Sequence, residues 1–180
     1  MGEAIKPLPV YVNIWYNHIC VYTKEEAETG VDFAVGNRLL VDGDDYKVVG
    51  KILYRNENDG MTWTEYRMLK CSSGSEYWLS VDDYYREYSI SKVVHLANIK
   101  GYHEVDSGTE VVVQRWGDVD VDAGERAGFT EYEDDTEEKI LSYEFWSDGK
   151  EISKGYYLDE NEIELIEAGN GATLEIEYSL

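Results

Sequence analysis

Apolar and polar residues alternate with a period of two along most of the chain. Leu174, Ile176 and Tyr178 fall on one face of an extended segment near the C-terminus, with polar residues between them. The segments 10–14 and 46–54 alternate in the same way. Because successive side chains of a β-strand point to opposite faces, each of these segments predicts a half-buried strand.

The same pattern, interrupted by turn residues, continues through the rest of the chain. Further strands are predicted at 38–41, 61–70, 76–81, 86–95, 110–122, 127–133, 138–147, 151–158 and 162–167. Gly and Asn tolerate the positive φ of tight turns, and they stand between these segments at Asp42-Gly43, Asn58-Asp59-Gly60, Ser73-Gly74, Asp148-Gly149 and Asn170-Gly171. One short helix is predicted at 24–28, with Thr23 as its N-cap and Gly30 at its end.

Two parts of the chain echo each other. Trp63-Thr64-Glu65-Tyr66 is followed by a turn and another aromatic strand, and Tyr143-Glu144-Phe145-Trp146 is followed by the same arrangement. We therefore predict an all-β fold with minor α content, in which two similar antiparallel β-meanders pack as a sandwich or as a pair of small open barrels.

The predicted organisation is one compact unit with three parts. Residues 1–34 form an N-terminal β-hairpin and short helix packed on the body, residues 35–100 form the first meander, and residues 101–180 form the second, acidic meander. No linker rich in proline or serine separates the two meanders, so they are expected to share a core or a broad interface.

Several short aromatic motifs resemble a known family. The motifs Val35-Gly36-Asn37-Arg38-Leu39, Tyr46 to Tyr54, Trp63-Thr64-Glu65-Tyr66 and Tyr77-Trp78-Leu79 are similar to the bacterial domain-of-unknown-function family numbered 4178. Tyr143-Glu144-Phe145-Trp146, with Gly155 and Leu158, is similar to the C-terminal half of that family. The resemblance implies a cytoplasmic bacterial accessory domain, and it supplies no catalytic residues.

Composition limits the compartment and the partners. The apolar stretches are far shorter than the roughly 20 residues of a membrane span, and the first residues lack the apolar core of a signal peptide, so we expect a cytoplasmic protein without a membrane anchor. Cys20 and Cys71 are too few for a secreted disulfide framework, and buried thiols are favoured over a disulfide.

The charge is strongly negative and uneven. The formal net charge is -22, and residues 101–180 alone carry 5 Lys+Arg against 23 Asp+Glu, a net of -18. Such a charge disfavours binding to nucleic acid or anionic lipid and would attract a basic protein surface. The alternative interpretation is a solvated face that keeps the protein soluble.

Metal and enzyme signatures are weak or missing. The sequence contains no nucleophile elbow, phosphate-binding glycine loop or HExxH motif. His18 and Cys20 supply only two of the four ligands of a structural zinc site. Asp118, Asp120 and Asp122 are predicted to share one strand face, but Ala123 replaces the glycine that a calcium loop needs, so no metal, cofactor or catalytic residue is assigned.

The echo places Glu65 and Glu144 at equivalent points of the two meanders. Paired carboxylates with aromatic neighbours are typical of glycosidases, although an ion pair of Glu65 with Arg67 is the more ordinary explanation.

The leading prediction is a non-enzymatic binding or assembly module that recognises a basic protein partner through exposed aromatic residues and an acidic surface. The alternatives are a glycan hydrolase and a nucleic-acid mimic built on the carboxylates of residues 118–138. The predicted binding residues are Trp63, Glu65, Tyr66, Trp78, Glu144 and Trp146. The sequence leaves the oligomeric state open.

Overall fold

A computed structural model describes residues 10–15, 18–23, 31–94, 101–134, 141–146 and 152–169, with side chains at 31–94, 101–133 and 152–169. The chain divides into two compact units, Met1–Asp32 and Phe33–Leu180. The first unit contains an antiparallel hairpin of β1 (Val10–Trp15) and β2 (His18–Thr23), which confirms the strand predicted at 10–14. The predicted helix at 24–28 and the predicted strand at 173–178 lie outside the described residues.

Within its described residues, the second unit contains ten strands and one turn of 3₁₀ helix, Glu160–Glu162. The strands are β3 (Arg38–Val41), β4 (Asp44–Asn56), β5 (Thr62–Lys70), β6 (Glu76–Asp82), β7 (Glu87–Val93), β8 (His103–Gly117), β9 (Arg126–Asp134), β10 (Leu141–Trp146), β11 (Ile152–Leu158) and β12 (Ile163–Glu167). The prediction of an all-β fold is confirmed, and these strands combine in one curled, open antiparallel sheet of half-barrel form.

Two meanders lie side by side in this sheet. Strands β3 to β7 pair in chain order, as do β8 to β11. The pairing of β7 with β11 joins the meanders at one border, and β4 also pairs with β8 at the other. On one edge of β4, residues 44–47 pair with β3 and residues 50–56 pair with β8. The long strand β4 therefore belongs to both meanders.

One face of the sheet, here called the core face, is apolar. Tyr66 lies opposite Leu79, and Leu79 lies opposite Ile90, so these side chains share a face across three strands. All three are buried. The hydroxyl of Tyr156 on β11 donates to Asp42 in the β3–β4 turn, at 2.7 Å, although four pairings separate β11 from β4 in the strand order. The sheet therefore curls, which brings β11 close to the β3–β4 turn.

Two local expectations are wrong. Strand β8 ends at Gly117, which adopts φ +71°, so Asp118, Asp120 and Asp122 lie in a loop and not on one strand face. Cys71 is exposed, because it stands in the turn between β5 and β6, where its Sγ lies 3.3 Å from a carboxylate oxygen of Asp45. It is a free thiol.

Candidate functional site

The face opposite the core face, here called the aromatic-acidic face, carries three of the predicted binding residues. Trp63 and Glu65 alternate with core residues on β5, and Glu65 lies opposite Ser80 on β6. Trp78 lies opposite Arg67, two positions farther along the same face. Because directly opposed residues of an antiparallel pair present their side chains to the same side, Trp63, Glu65 and Trp78 share this face.

The second meander contributes to the same face. The ring of Phe129 on β9 lies 6.4 Å from the ring of Trp63 at 70°, although the pairings from β5 to β9 run through β4 and β8. Glu144 and Trp146 occupy register positions opposite Glu131 and Phe129. The register therefore places the echoed glutamates, one from each meander, on one face of the sheet.

Hydrogen bonds fix the two indoles. Nε1–H of Trp63 donates to Glu65 at 3.2 Å, and Nε1–H of Trp78 donates to Glu76 at 3.1 Å. Trp63 and Trp78 are half-buried and pack against an apolar cluster that includes Ile52 and Val112. The two tryptophans therefore form an apolar patch on this part of the face, and their hydrogen bonds to Glu65 and Glu76 fix the orientation of the indole rings.

Carboxylates from both meanders converge at one end of the aromatic-acidic face. Asp82 at the end of β6 lies directly opposite Glu87 at the start of β7. Burial, followed by the negative charges of Asp82 and Glu133, raises the pKa of Glu87. Strands β11 and β10 lie between β7 and β9 in the sheet order, so the influence of Glu133 on Glu87 reflects the curl of the sheet.

Tyr157 lies at this end of the face, here called the acidic end and defined by Asp82, Glu87, Glu131 and Glu133. The hydroxyl of Tyr157 on β11 donates to Glu131 on β9 at 2.9 Å, reaching across the intervening strand β10. Burial and the neighbouring carboxylates of Glu131 and Glu133 raise the pKa of Tyr157, so its phenol stays protonated and remains a donor throughout the physiological range.

Exposed aromatic residues stand beside the carboxylates. Tyr84 and Tyr85 in the β6–β7 turn are 39% and 58% exposed, and their rings meet edge to face at 4.8 Å. Asp82 accepts the backbone N–H groups of both residues, at 2.9 and 3.0 Å, which orders the turn. An accessible tyrosine pair therefore lies next to the acidic end.

The raised pKa of Asp82 at the acidic end leads us to expect that the free energy of unfolding depends on pH. Burial is the main cause that raises the pKa of Asp82 in the folded state. A carboxyl group with a raised folded pKa stabilises the fold fully below its unfolded pKa, about 3.9, and that contribution is lost as the pH rises through the folded value. Asp82→Asn keeps an acceptor oxygen for the turn, so we expect a higher melting temperature at pH 7 and no gain near pH 3. Thermal unfolding of both proteins across this range measures the difference, and an equal effect at both pH values would contradict it.

Tyr66 lies away from this face. It is fully buried in the core face, its ring contacts Phe33 edge to face at 5.4 Å, and its hydroxyl accepts the backbone N–H of Phe33 at 3.1 Å. Among the six predicted binding residues, Tyr66 is therefore placed in the core, where it contributes to folding.

Two of the three aspartates considered for a cation site, Asp118 and Asp122, form ion pairs with arginines. Asp118 binds Arg67 at 2.6 Å and Asp122 binds Arg115 at 2.5 Å. Arg67 also binds Glu76, at 2.6 Å. No group of three or more His, Cys, Asp or Glu side chains arranged to hold a metal ion occurs among the described residues.

The residues of the acidic end are not among the binding residues predicted from the sequence. Glu131 and Glu133 lie in a strand that was predicted, and their spacing of two already indicated a shared face. The signal for Tyr157 was weaker, because its hydroxyl reaches Glu131 across the intervening strand β10, and its position near Glu87 depends on β11 pairing with β7 of the other meander. Pairing between distant strands has no local signature in the sequence.

Comparison with known proteins adds one finding. The model of a family described as Domain of unknown function (DUF4178) matches residues 34–160. Neither the curated proteins nor the solved structures contain a match to the chain. In the part of the chain that the structure describes, no helix has the length and apolar character of a membrane span.

Proposed function

The chain belongs to the DUF4178 family of domains of unknown function, and on that premise we propose that it is a non-enzymatic binding module for a basic protein partner. The observation that carries the proposal is the convergence of Asp82 and Glu87 from the first meander with Glu131 and Glu133 from the second. A basic segment of a partner that lies across this end of the aromatic-acidic face would contact carboxylates of both meanders.

The acidic end favours cations for a physical reason. Glu87 is partly removed from water and lies near the negative charges of Asp82 and Glu133, and these effects raise its pKa. A lysine or arginine side chain of a partner would offset that repulsion. The charge of -22 on the whole chain would speed the encounter with a basic surface at low ionic strength.

The tyrosine pair supplies the aromatic part of the proposed contact. Tyr and Trp are enriched at protein interfaces, because they combine a large apolar area with a polar tip. Tyr84 and Tyr85 already contact each other, so little side-chain freedom remains to be lost on binding. Arginine would also stack on an exposed phenol ring through a cation–π interaction.

A defined peptide tests this function. We expect a synthetic Lys- and Arg-rich peptide to bind the full chain at about 0.05 M salt and to weaken strongly at about 0.5 M, while a peptide with Gln at every basic position does not bind. Glu87→Gln and Tyr85→Ala should each reduce the affinity about fivefold, as expected for one ion pair or one aromatic contact.

The matched control is Glu164→Gln, which removes the same charge from an exposed position of β12. Calorimetric titration of all four proteins gives the comparison. Equal weakening by Glu87→Gln and Glu164→Gln would mean that only the total charge matters, and the proposed site would then be wrong.

A glycan hydrolase is the second candidate, because the register places Glu65 and Glu144 on the same face. If this function holds, Glu65→Gln abolishes the hydrolysis of a polysaccharide that the unaltered chain degrades. The nucleic-acid mimic has less support, since Asp118 and Asp122 are partly neutralised by Arg67 and Arg115.

A further inference from the structure

The turn between β6 and β7 presents an exposed aromatic ring. The side chain of Tyr85 is 58% exposed, the largest exposed fraction among the large apolar and aromatic side chains that the structure describes. Its ring meets that of Tyr84 at 4.8 Å and 89°, an edge-to-face contact that covers at most one face of either ring. At least one face of the Tyr85 ring is therefore open to a partner.

Carboxylates from three separate segments lie near this ring. Asp59 belongs to the β4–β5 turn, Asp82 ends β6 and Glu87 begins β7. Partial burial, followed by the neighbouring Tyr84 and by the charges of Asp59, Asp82 and Glu87, raises the pKa of Tyr85. A cation that binds on the ring would therefore have these carboxylates within electrostatic range.

Arg86, the basic residue of the same turn, acts on the core face. Burial raises the pKa of Tyr88, a buried residue of that face, and the charge of Arg86 partly offsets this effect. The pKa of Glu87, by contrast, is raised by burial and by the charges of Asp82 and Glu133. Glu87 therefore has negative surroundings that attract a cation from a partner.

An exposed ring with carboxylates beside it favours arginine over lysine for a physical reason. The guanidinium group is planar and weakly hydrated, so it stacks on an aromatic face while its N–H groups point to acceptors at the edge of the ring. The ammonium group of lysine is compact and strongly hydrated, and contact with a ring requires it to give up water. Negative charge alone attracts both side chains about equally, so a preference for arginine depends on the ring.

We propose that Tyr85 makes the acidic end selective for arginine over lysine in its partner. The guanidinium group of a partner's arginine stacks on the open face of Tyr85, and its N–H groups donate to the neighbouring carboxylates, Asp59 and Glu87 among them. This inference rests on the binding function proposed above, and it names the side chain that the partner presents.

Two synthetic peptides of equal length and charge test the selectivity, one alternating Gly with Arg and the other alternating Gly with Lys. Calorimetric titration into the full chain at about 0.05 M salt should give about tenfold tighter binding of the Arg peptide, as for one stacking contact with a charge-assisted hydrogen bond. Tyr85→Leu should weaken binding of the Arg peptide about fivefold and leave the Lys peptide nearly unchanged, because leucine keeps an apolar surface but has no aromatic face.

Tyr85→Phe is the matched control. Phenylalanine keeps the aromatic face and removes only the hydroxyl, so the preference for the Arg peptide should stay within about twofold of its value in the unaltered chain. Stacking also predicts that the ring current shifts the side-chain resonances of the bound arginine upfield, and that Tyr85→Leu reduces this shift.

The outcomes separate this inference from the function on which it rests. Equal affinities for the two peptides, equal weakening of both by Tyr85→Leu, or loss of the preference in Tyr85→Phe would overturn the selectivity and leave the proposed function intact. If neither peptide bound the chain, the proposed function would itself be wrong, and this inference with it.

Discussion

Replacing Tyr66 by Ala is expected to destabilise the protein by about 4 kcal/mol, the largest effect of any single substitution considered for this chain. The side chain is fully buried, and its removal would leave a large cavity among Phe33, Met68 and Leu79. It would also remove the acceptor of the Phe33 backbone N–H. Denaturant unfolding monitored by circular dichroism measures the change in the free energy of unfolding.

Tyr66→Phe is the matched control for this prediction. It keeps the ring and its contact with Phe33 and removes only the hydroxyl, so we expect a loss of about 1 kcal/mol from the missing hydrogen bond. If Tyr66→Ala proved as stable as the unaltered chain and lost only peptide binding, the placement of Tyr66 in the core would be wrong.

Gly117→Ala is expected to destabilise the protein by about 3 kcal/mol, because two penalties add at this position. Gly117 has φ +71°, which costs a residue with a Cβ about 1 kcal/mol or more. A Cβ at this position would also lie 2.5 Å from the carbonyl oxygen of Val49, a backbone atom with little room to move. The position is where β8 ends alongside β4, so the substitution strains one of the two borders between the meanders.

Gly43→Ala separates the two penalties. Gly43 has a similar φ of +79°, but a Cβ there would meet nothing within 4 Å. We expect it to cost about 1 kcal/mol, the conformational part alone. Thermal and denaturant unfolding of both variants give the comparison. Equal losses at the two glycines would show that β4 and β8 do not approach as closely as the structure has them.

Much of the fold could be predicted from the sequence, because strand alternation and turn residues are local signals. The predicted strand at 38–41 has the observed bounds of β3, and the segment predicted at 151–158 differs from β11 by one residue. The start of β8 was missed, because residues 103–109 include Glu104, Asp106 and Ser107 and lack a clear apolar face. Exposed edge segments of this kind carry little hydrophobic pattern.

The candidate site was predictable only in part. Alternation on β5 indicated that Trp63 and Glu65 share a face, and the echo indicated an equivalent position for Glu144. The same alternation separates Tyr66 from its neighbour Glu65, since adjacent residues of a strand point to opposite faces. The acidic end depends on the pairing of β7 with β11 and on the curl of the sheet, and both are long-range features that no short motif encodes.

The most direct test of the central claim is to map the basic peptide onto the protein by NMR. The claim is that carboxylates of both meanders form one binding surface. We therefore expect titration to shift the amide resonances of residues 82–87 and of residues 131–133 together, with the same dissociation constant. Shifts confined to one of these segments, or spread evenly over exposed acidic positions such as Asp120 and Glu164, would contradict the account.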